Sequence, residues 1–239
     1  MSLTRHIPNA VTSVNLLCGV LGVTAAFNGR PDVAFILMIV AAAFDYCDGF
    51  VARMLGANSD FGKELDSLSD AVSFGVLPSV MLFNAMKGLG CGAVWCYVPL
   101  ILAIMSAVRL AKFNIDPRQH ESFIGLPTPP SAMMCGALCS FLYSSPDSCL
   151  AAFCSHDWVL PLLAVVLSFL LVSEIPMFAL KLGKNHKKAD SGTVCRRYIF
   201  LAAALISVAV IIAFGLNWTL SVFLAFAAYI VINFFPQKA

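Results

Sequence analysis

Charge is scarce in this 239-residue chain: Lys, Arg, Asp and Glu together make up 12% of it, against 60% hydrophobic residues. With a mean hydropathy of +0.87, that shortage excludes an ordinary soluble domain and places the chain among polytopic membrane proteins. A net charge of only +2 gives no basic excess of the kind that attracts nucleic acid. The nine cysteines contain no CxxC pair and no Cys/His cluster at metal-ligand spacing, so neither a zinc site nor a disulfide framework is indicated. Most serve as small apolar residues within helices; Cys149 and Cys154 share an outward loop in which an oxidising compartment would permit a bridge. Internal repeats, low-complexity tracts and soluble domains are also missing. No small-residue cleavage site follows the first apolar run, which therefore reads as a retained span rather than a signal peptide.

What the chain has instead is apolar length. Crossing a bilayer takes about 20 apolar residues per helix, and eight stretches qualify, at roughly 11–29, 33–55, 64–86, 92–113, 127–145, 158–180, 198–214 and 218–235. The expectation is an all-α membrane protein of about eight transmembrane helices in one catalytic domain spanning 1–239. Its core helices lie at about 11–180, with two additional C-terminal helices at about 198–235. Placing the N-terminus in the cytoplasm leaves only Arg30 and Lys87, of 15 Lys and Arg residues, on the outer side. By the positive-inside rule both termini are then cytoplasmic. The basic run "KLGKNHKKADSGTVCRR" reads as a topology anchor against anionic headgroups.

One stretch breaks the apolar pattern. "DYCDGFVARMLGANSDFGKELDSLSD", residues 45–70, carries four aspartates in or beside two of the apolar segments. At about 100° per residue, Asp45, Asp48, Gly49, Ala52 and Arg53 fall on one side of the second helix. Gly62, Asp66 and Asp70 recur every four residues on the third, with Ser69 and Ser73 near the same stripe. The short connection makes the two helices antiparallel neighbours, so both acidic faces meet near the cytoplasmic end. Asp45 lies about ten residues, or ~15 Å, from the end of its helix, which puts the carboxylates in a polar cavity below the membrane surface. Each carboxylate at the bilayer centre costs on the order of 2.5–3.5 kcal/mol. Four of them with one nearby arginine need more positive charge than the chain supplies, and divalent cations fit that need. Oxygen-only ligands favour Mg²⁺ or Mn²⁺, and two such ions suit displacement at phosphorus. Gly49, Ala52 and Gly62 would let a phosphate or nucleotide approach the helix backbones. Helix packing accounts for the small residues separately, but gives no reason to align four acids.

The pattern Asp45-x2-Asp48-Gly49-x2-Ala52-Arg53-x8-Gly62-x3-Asp66-x3-Asp70 resembles, without a gap, the signature of the CDP-alcohol phosphatidyltransferases. The resemblance implies that family's fold, a dinuclear metal centre on Asp45, Asp48, Asp66 and Asp70, and a CDP site at Gly49, Ala52, Arg53 and Gly62. It also implies Asp70 as general base, and a homodimer. Three further stretches, "IPNAVTSVNLLCG", "RLAKFN" and "FIGLPTPPSA", look like the phosphatidylserine synthase branch, although Lys112 stands where that branch more often has arginine. The implied reaction moves a phosphatidyl group from CDP-diacylglycerol to L-serine, in a bacterial inner membrane with the site facing the cytoplasm.

Residue chemistry agrees. Arg109 and Lys112, three apart at a helix end, suit a phosphate or a carboxylate, and Asn114 can both donate and accept. Asn9 and Thr12 could contact the nucleotide, Thr12 serving equally well as a helix cap. The prolines of "GLPTPP" suit a helix boundary at least as well as a ligand contact. Glu174 reads as a structural pairing partner. The acidic motif defines a reaction class rather than an acceptor, so glycerol 3-phosphate and inositol stay open. A cation or proton-coupled transporter is the alternative of a different class, disfavoured because the acids cluster at one membrane face.

Overall fold

The computed structural model describes residues 6–57, 59–92, 94–116, 123–177, 191–215 and 217–234. Among them the chain runs through nine continuous helices and one two-stranded ribbon. Helices α1 (His6–Phe27) and α2 (Pro31–Leu55) are followed by α3 (Asp60–Gly88) and α4 (Trp95–Ile115). These four are long and apolar enough to cross a membrane. Next come α5 (Thr128–Ser144), the short α6 (Cys149–Cys154), α7 (Val159–Val172), α8 (Ser191–Phe214) and α9 (Trp218–Phe234). Of these later helices, α7 and α9 are apolar but shorter. The eight expected spans each coincide with a helix, and α6 is an additional short helix between α5 and α7. The basic run at 181–188, Arg118 and Lys238, on which much of the orientation argument rests, lie outside the described residues.

Helix α5 is the centre of the bundle, buried along nearly its whole length from Thr128 to Leu142. It packs against α2, α3 and α9, while α1 lies along α2 and α3. Small residues allow this closeness: a Cβ on Gly136 of α5 would meet Phe35 at 2.8 Å and Met38 at 3.1 Å, both on α2. Outward from that core the helices present large apolar side chains such as Leu21, Ile36, Ile104, Phe169 and Leu205, as a lipid-facing surface requires. The prolines of "GLPTPP" form the first turn of α5, where a missing N–H costs no hydrogen bond.

Within α3, residues Ala71–Val76 form a π-helical turn immediately after Asp70. Pro78 follows in the same helix; its ring would clash with the carbonyl of Phe74 in a regular α-helix, and the wider turn takes up that clash.

The sixth span ends earlier than its hydropathy suggested. Expected to reach residue 180, α7 stops at Val172, and Ser173 is extended (ψ 158°). At 14 residues it is about 21 Å long, short of the ~30 Å hydrocarbon layer. Pro176 has no N–H to continue the helix, and the chain pairs antiparallel with the approach to α5, with Phe123 opposite Met177 and Ile124 opposite Pro176. Gly125 N–H donates to the Ile175 carbonyl at 2.9 Å and Leu126 N–H to that of Leu170 at 2.8 Å. This strap needs a glycine: Gly125 sits at φ +80°, and a Cβ there would lie 2.7 Å from the Leu171 carbonyl oxygen and 2.8 Å from that of Ser173.

The Cys149–Cys154 bridge does not form. Both are free thiols at opposite ends of α6, Cys149 exposed and Cys154 buried. Burial pushes the Cys154 thiol up to about 11, which keeps it protonated and unreactive.

Candidate active site

The connection between α2 and α3 builds the site. Gly56 ends α2 in the left-handed conformation (φ 56°, ψ 31°), its N–H closing on the carbonyls of Ala52 and Arg53. Ser59 then caps α3, its Oγ accepting from the Gly62 N–H at 3.0 Å. Helix α3 therefore starts at Asp60, a turn earlier than its apolar content indicates, and Gly62 lies in its first turn. This tight return brings Asp45 and Asp48 of α2 against Asp66 of α3. Carboxylate oxygens of the three lie within 4.8 Å of one another.

That triad fits a hard divalent cation. All its donors are carboxylate oxygens. Asp66 Oδ1 is buried without a hydrogen-bond partner. Among the described residues no Lys or Arg forms a salt bridge with the group, Arg30–Asp32, at 3.0 Å, being the one salt bridge between them. Like charges at 4.8 Å repel by about 3.5 kcal/mol per pair at an effective dielectric of ~20. A bound cation turns that repulsion into attraction.

Asp70 lies one turn deeper along α3 and is buried. It is near enough to Asp45 and Asp66 for their charges to act on it, but it stands outside the triad. Asn15 of α1, fully buried, donates from Nδ2 to Asp70 Oδ1 at 3.2 Å. Neighbouring contacts fasten the same helix pair: Ser73 Oγ donates to the Asn15 carbonyl at 3.1 Å, and Ser69 Oγ lies 3.4 Å from that of Thr12. Thr12 Oγ1 is 2.6 Å from Asp48 Oδ2 and 3.1 Å from the Pro8 carbonyl. Thr12 is thus a holder of a carboxylate more than a cap.

Beside the triad opens a cavity of about 420 Å³, lined by Asn9, Thr12, Asp48, Gly49, Ala52, Gly62 and Asp66, with Ser59, Asp60 and Lys63 at its edge. The expected Gly49, Ala52, Gly62, Asn9 and Thr12 thus share one space. Gly62 faces Asn9, whose Oδ1 would be 3.0 Å from an added Cβ. Arg53 is exposed and does not line this cavity; its Nη1 passes 3.4 Å from where a Gly49 Cβ would be.

A second, smaller cavity of about 40 Å³ lies where α4 meets the end of α7, walled by Arg109, Lys112, Asp116, Ile124, Ser173 and Glu174 among others. Arg109 and Lys112 are there together, as their spacing indicated. Asn114 is not: its Nδ2 donates to Ser67 Oγ at 2.9 Å and its carbonyl accepts from Lys63 Nζ at 3.0 Å, tying α4 to α3. Glu174, read from sequence as a pairing residue, forms no salt bridge among the described residues. Asn15 escaped sequence reasoning altogether. Its signal was a polar residue three after Thr12, one helical turn along the same face of an apolar helix.

Comparison with known proteins shows the family. The family described as CDP-alcohol phosphatidyltransferase matches residues 5–170, which include all four aspartates. A Mycobacterium tuberculosis protein named CDP-diacylglycerol–serine O-phosphatidyltransferase is 34% identical over 214 residues, 87% of this chain and 68% of that protein. A Bacillus subtilis protein of the same name is 36% identical over 141 residues, 59% of this chain and 78% of the relative. One from Methanocaldococcus jannaschii, again so named, is 32% identical over 169 residues, 71% and 72% of the two chains.

Proposed function

Because this chain belongs to the CDP-alcohol phosphatidyltransferase family, we propose that it transfers the phosphatidyl group of CDP-diacylglycerol to L-serine, giving phosphatidylserine and CMP. The observation that carries the chemistry is the convergence of Asp45, Asp48 and Asp66 at the mouth of a 420 Å³ cavity. The choice of serine is supported by the names of bacterial and archaeal relatives.

In this reading Asp45, Asp48 and Asp66, with Asp70, hold two divalent ions, Mg²⁺ or Mn²⁺. Bound there, the ions supply positive charge to the phosphoryl oxygens and the departing CMP. The protein does the rest. Gly49, Ala52 and Gly62 keep the cavity wall low enough for the CDP moiety, with Asn9 on the facing helix. Arg53, at the exposed edge, reaches the diphosphate from outside the wall. The acyl chains stay in the bilayer. Asp70, oriented by Asn15, takes the proton from the serine hydroxyl; that oxygen attacks the phosphorus carrying diacylglycerol, and the bond to CMP breaks. Arg109 and Lys112 hold the acceptor's anionic group. Positioning and charge neutralisation carry most of the rate.

The catalytic unit is taken as the whole chain, 1–239, working in a bacterial cell membrane with the site toward the cytoplasm, as a homodimer. The two C-terminal helices lie beyond the matched residues, yet α9 packs on α5, and its fully buried Tyr229 lies within electrostatic reach of Arg109. Tests of the reaction use purified protein, CDP-diacylglycerol and Mn²⁺ or Mg²⁺, with serine, glycerol 3-phosphate and inositol offered in turn. CMP release only with serine is the expected result. Release with another acceptor and none with serine overturns the acceptor, and ion flux in liposomes without nucleotide chemistry overturns the class.

A further inference from the structure

Arg109 is 6% exposed, yet its donors are barely used: Nε has no partner, and Nη1 reaches only Thr128 Oγ1, at 3.4 Å. Its guanidinium lies over the Phe113 ring, 5.8 Å from the centroid, and within electrostatic reach of Asp70. A buried cation with unspent donors calls for an anion. The cavity it lines holds the opposite charge as well. Glu174 stands at the solvent-facing side, on the segment that the Gly125 strap holds in place, and Lys112 and Asp116 share the same wall. Lys112 and Glu174 form no salt bridge in spite of their common cavity, so both remain open to a ligand. At about 40 Å³ the space holds roughly three waters at ~10–15 Å³ each, comparable to the charged end of an amino acid.

We propose that this cavity receives the zwitterionic end of the acceptor, with Arg109 and Lys112 taking the carboxylate of an α-amino acid and Glu174 its ammonium group. Glu174 is then the residue that sets acceptor choice. Glycerol 3-phosphate would bring only negative charge toward it, inositol would leave both signs unpaired, and an amino alcohol without a carboxylate would leave Arg109 unpaired. Selection of this kind comes from leaving the wrong ligand's partners unmatched. The inference rests on the serine reading above and adds to it the group that recognises the amine. Because Glu174 is exposed to solvent, its share is modest, near the upper end for a surface ion pair.

The test uses the full chain in detergent or nanodiscs with CDP-diacylglycerol and Mn²⁺, and compares L-serine with 3-hydroxypropionate, which is serine without its amine. Glu174→Gln is expected to raise the KM for serine roughly fivefold while kcat and the KM for CDP-diacylglycerol stay within about twofold. It should also cut the preference for serine over 3-hydroxypropionate by about the same factor, and Glu174→Asp should keep most of that preference. A serine KM unmoved by Glu174→Gln, with serine turnover intact, overturns this inference alone. So does an equal loss for both acceptors, since that marks a structural effect. No serine-dependent CMP release from the unsubstituted protein overturns the serine reading and this inference with it.

Discussion

Gly19 is the point at which helix packing and the proposed base are most directly coupled. It faces Ser73 where α1 crosses α3, and a Cβ there would overlap Ser73 Oγ and lie 3.0 Å from Ser73 Cα. The hydroxyl could swing aside; the Cα belongs to a helix backbone and cannot. Relieving that approach means parting the helices by a few tenths of an ångström. The Asn15–Asp70 hydrogen bond is already 3.2 Å and Ser73–Asn15 is 3.1 Å, so that movement brings both to the ~3.5 Å limit of hydrogen bonding and weakens them. For Gly19→Ala, overpacking costs about 1–3 kcal/mol, against which alanine returns about 1 kcal/mol of helix propensity. The net loss of stability is about 0–2 kcal/mol before the weakened hydrogen bonds are added. Losing about half of a bond to a charged carboxylate, worth about 1.5–3 kcal/mol when intact, acts on Asp70 and should lower kcat roughly 3- to 10-fold. Gly22, three residues further on, is the contrast. Its Cβ would meet Leu77 Cδ2 at 2.7 Å, the movable end of a side chain, so Gly22→Ala should keep near-normal turnover. The assay is initial-rate CMP release at equal folded concentration, with melting followed by tryptophan fluorescence. Equal kcat for the two variants, or a Gly19→Ala loss that merely tracks its unfolded fraction, refutes the coupling.

Chelation by EDTA should abolish CMP release and Mn²⁺ restore it; Asp66→Asn, which removes a charge from the triad, should weaken Mn²⁺ binding by tenfold or more in a titration, about 1.4 kcal/mol or more. Gly125→Ala meets both a φ of +80° and fixed carbonyl oxygens at 2.7 and 2.8 Å. It should lose about 2–4 kcal/mol, read as a lower melting temperature together with a raised serine KM. Asp70→Asn should abolish turnover while CDP-diacylglycerol binding stays measurable; near-normal turnover removes Asp70 from the role of base. In intact cells an impermeant maleimide should label exposed Cys149 and spare Cys154, whose thiol is buried and raised to about 11; protection of Cys149 until the membrane is opened reverses the proposed orientation.

Hydropathy alone located a helix at each of the eight apolar stretches, four of them long enough to cross a membrane, because in lipid every backbone group must be satisfied within its own segment and apolar length is then the dominant signal. It failed where a local choice of hydrogen-bond partner overrode it. The segment after Val172 is apolar enough to continue as helix, but Pro176 has no N–H to continue it and the Gly125–Leu126 strap gives the Ile175 and Leu170 carbonyls other donors. The early start of α3 has the same kind of origin. Ser59, Asp60 and Gly62 supply a cap rather than hydrophobicity, and a scale that counts apolar side chains is blind to a cap.

The two halves of the candidate site differed in legibility for a geometric reason. Asp45, Asp48, Gly49, Ala52, Gly62, Asp66 and Asp70 lie on two consecutive helices joined by a tight turn, so helical periodicity alone put them on facing sides, and charge in an apolar span drew attention to them. Asn15 and Glu174 take their roles from partners on other helices. Nothing local distinguishes an Asn that orients a carboxylate from one that caps or packs, and the Glu at the end of an apolar span looked ready to pair with a lysine. What separates these cases is tertiary. The close Gly19–Ser73 crossing sets Asn15 against Asp70, and the Gly125 strap fixes the end of α7 so that Glu174 shares a cavity with Arg109. Both contacts depend on a glycine: a Cβ on Gly125 would collide with backbone carbonyl oxygens, and one on Gly19 would overlap Ser73 Oγ and crowd its Cα. The proposed base and acceptor positions thus depend on Gly19 and Gly125 as well as on the polar residues themselves, because each glycine admits the close approach that sets those residues in place.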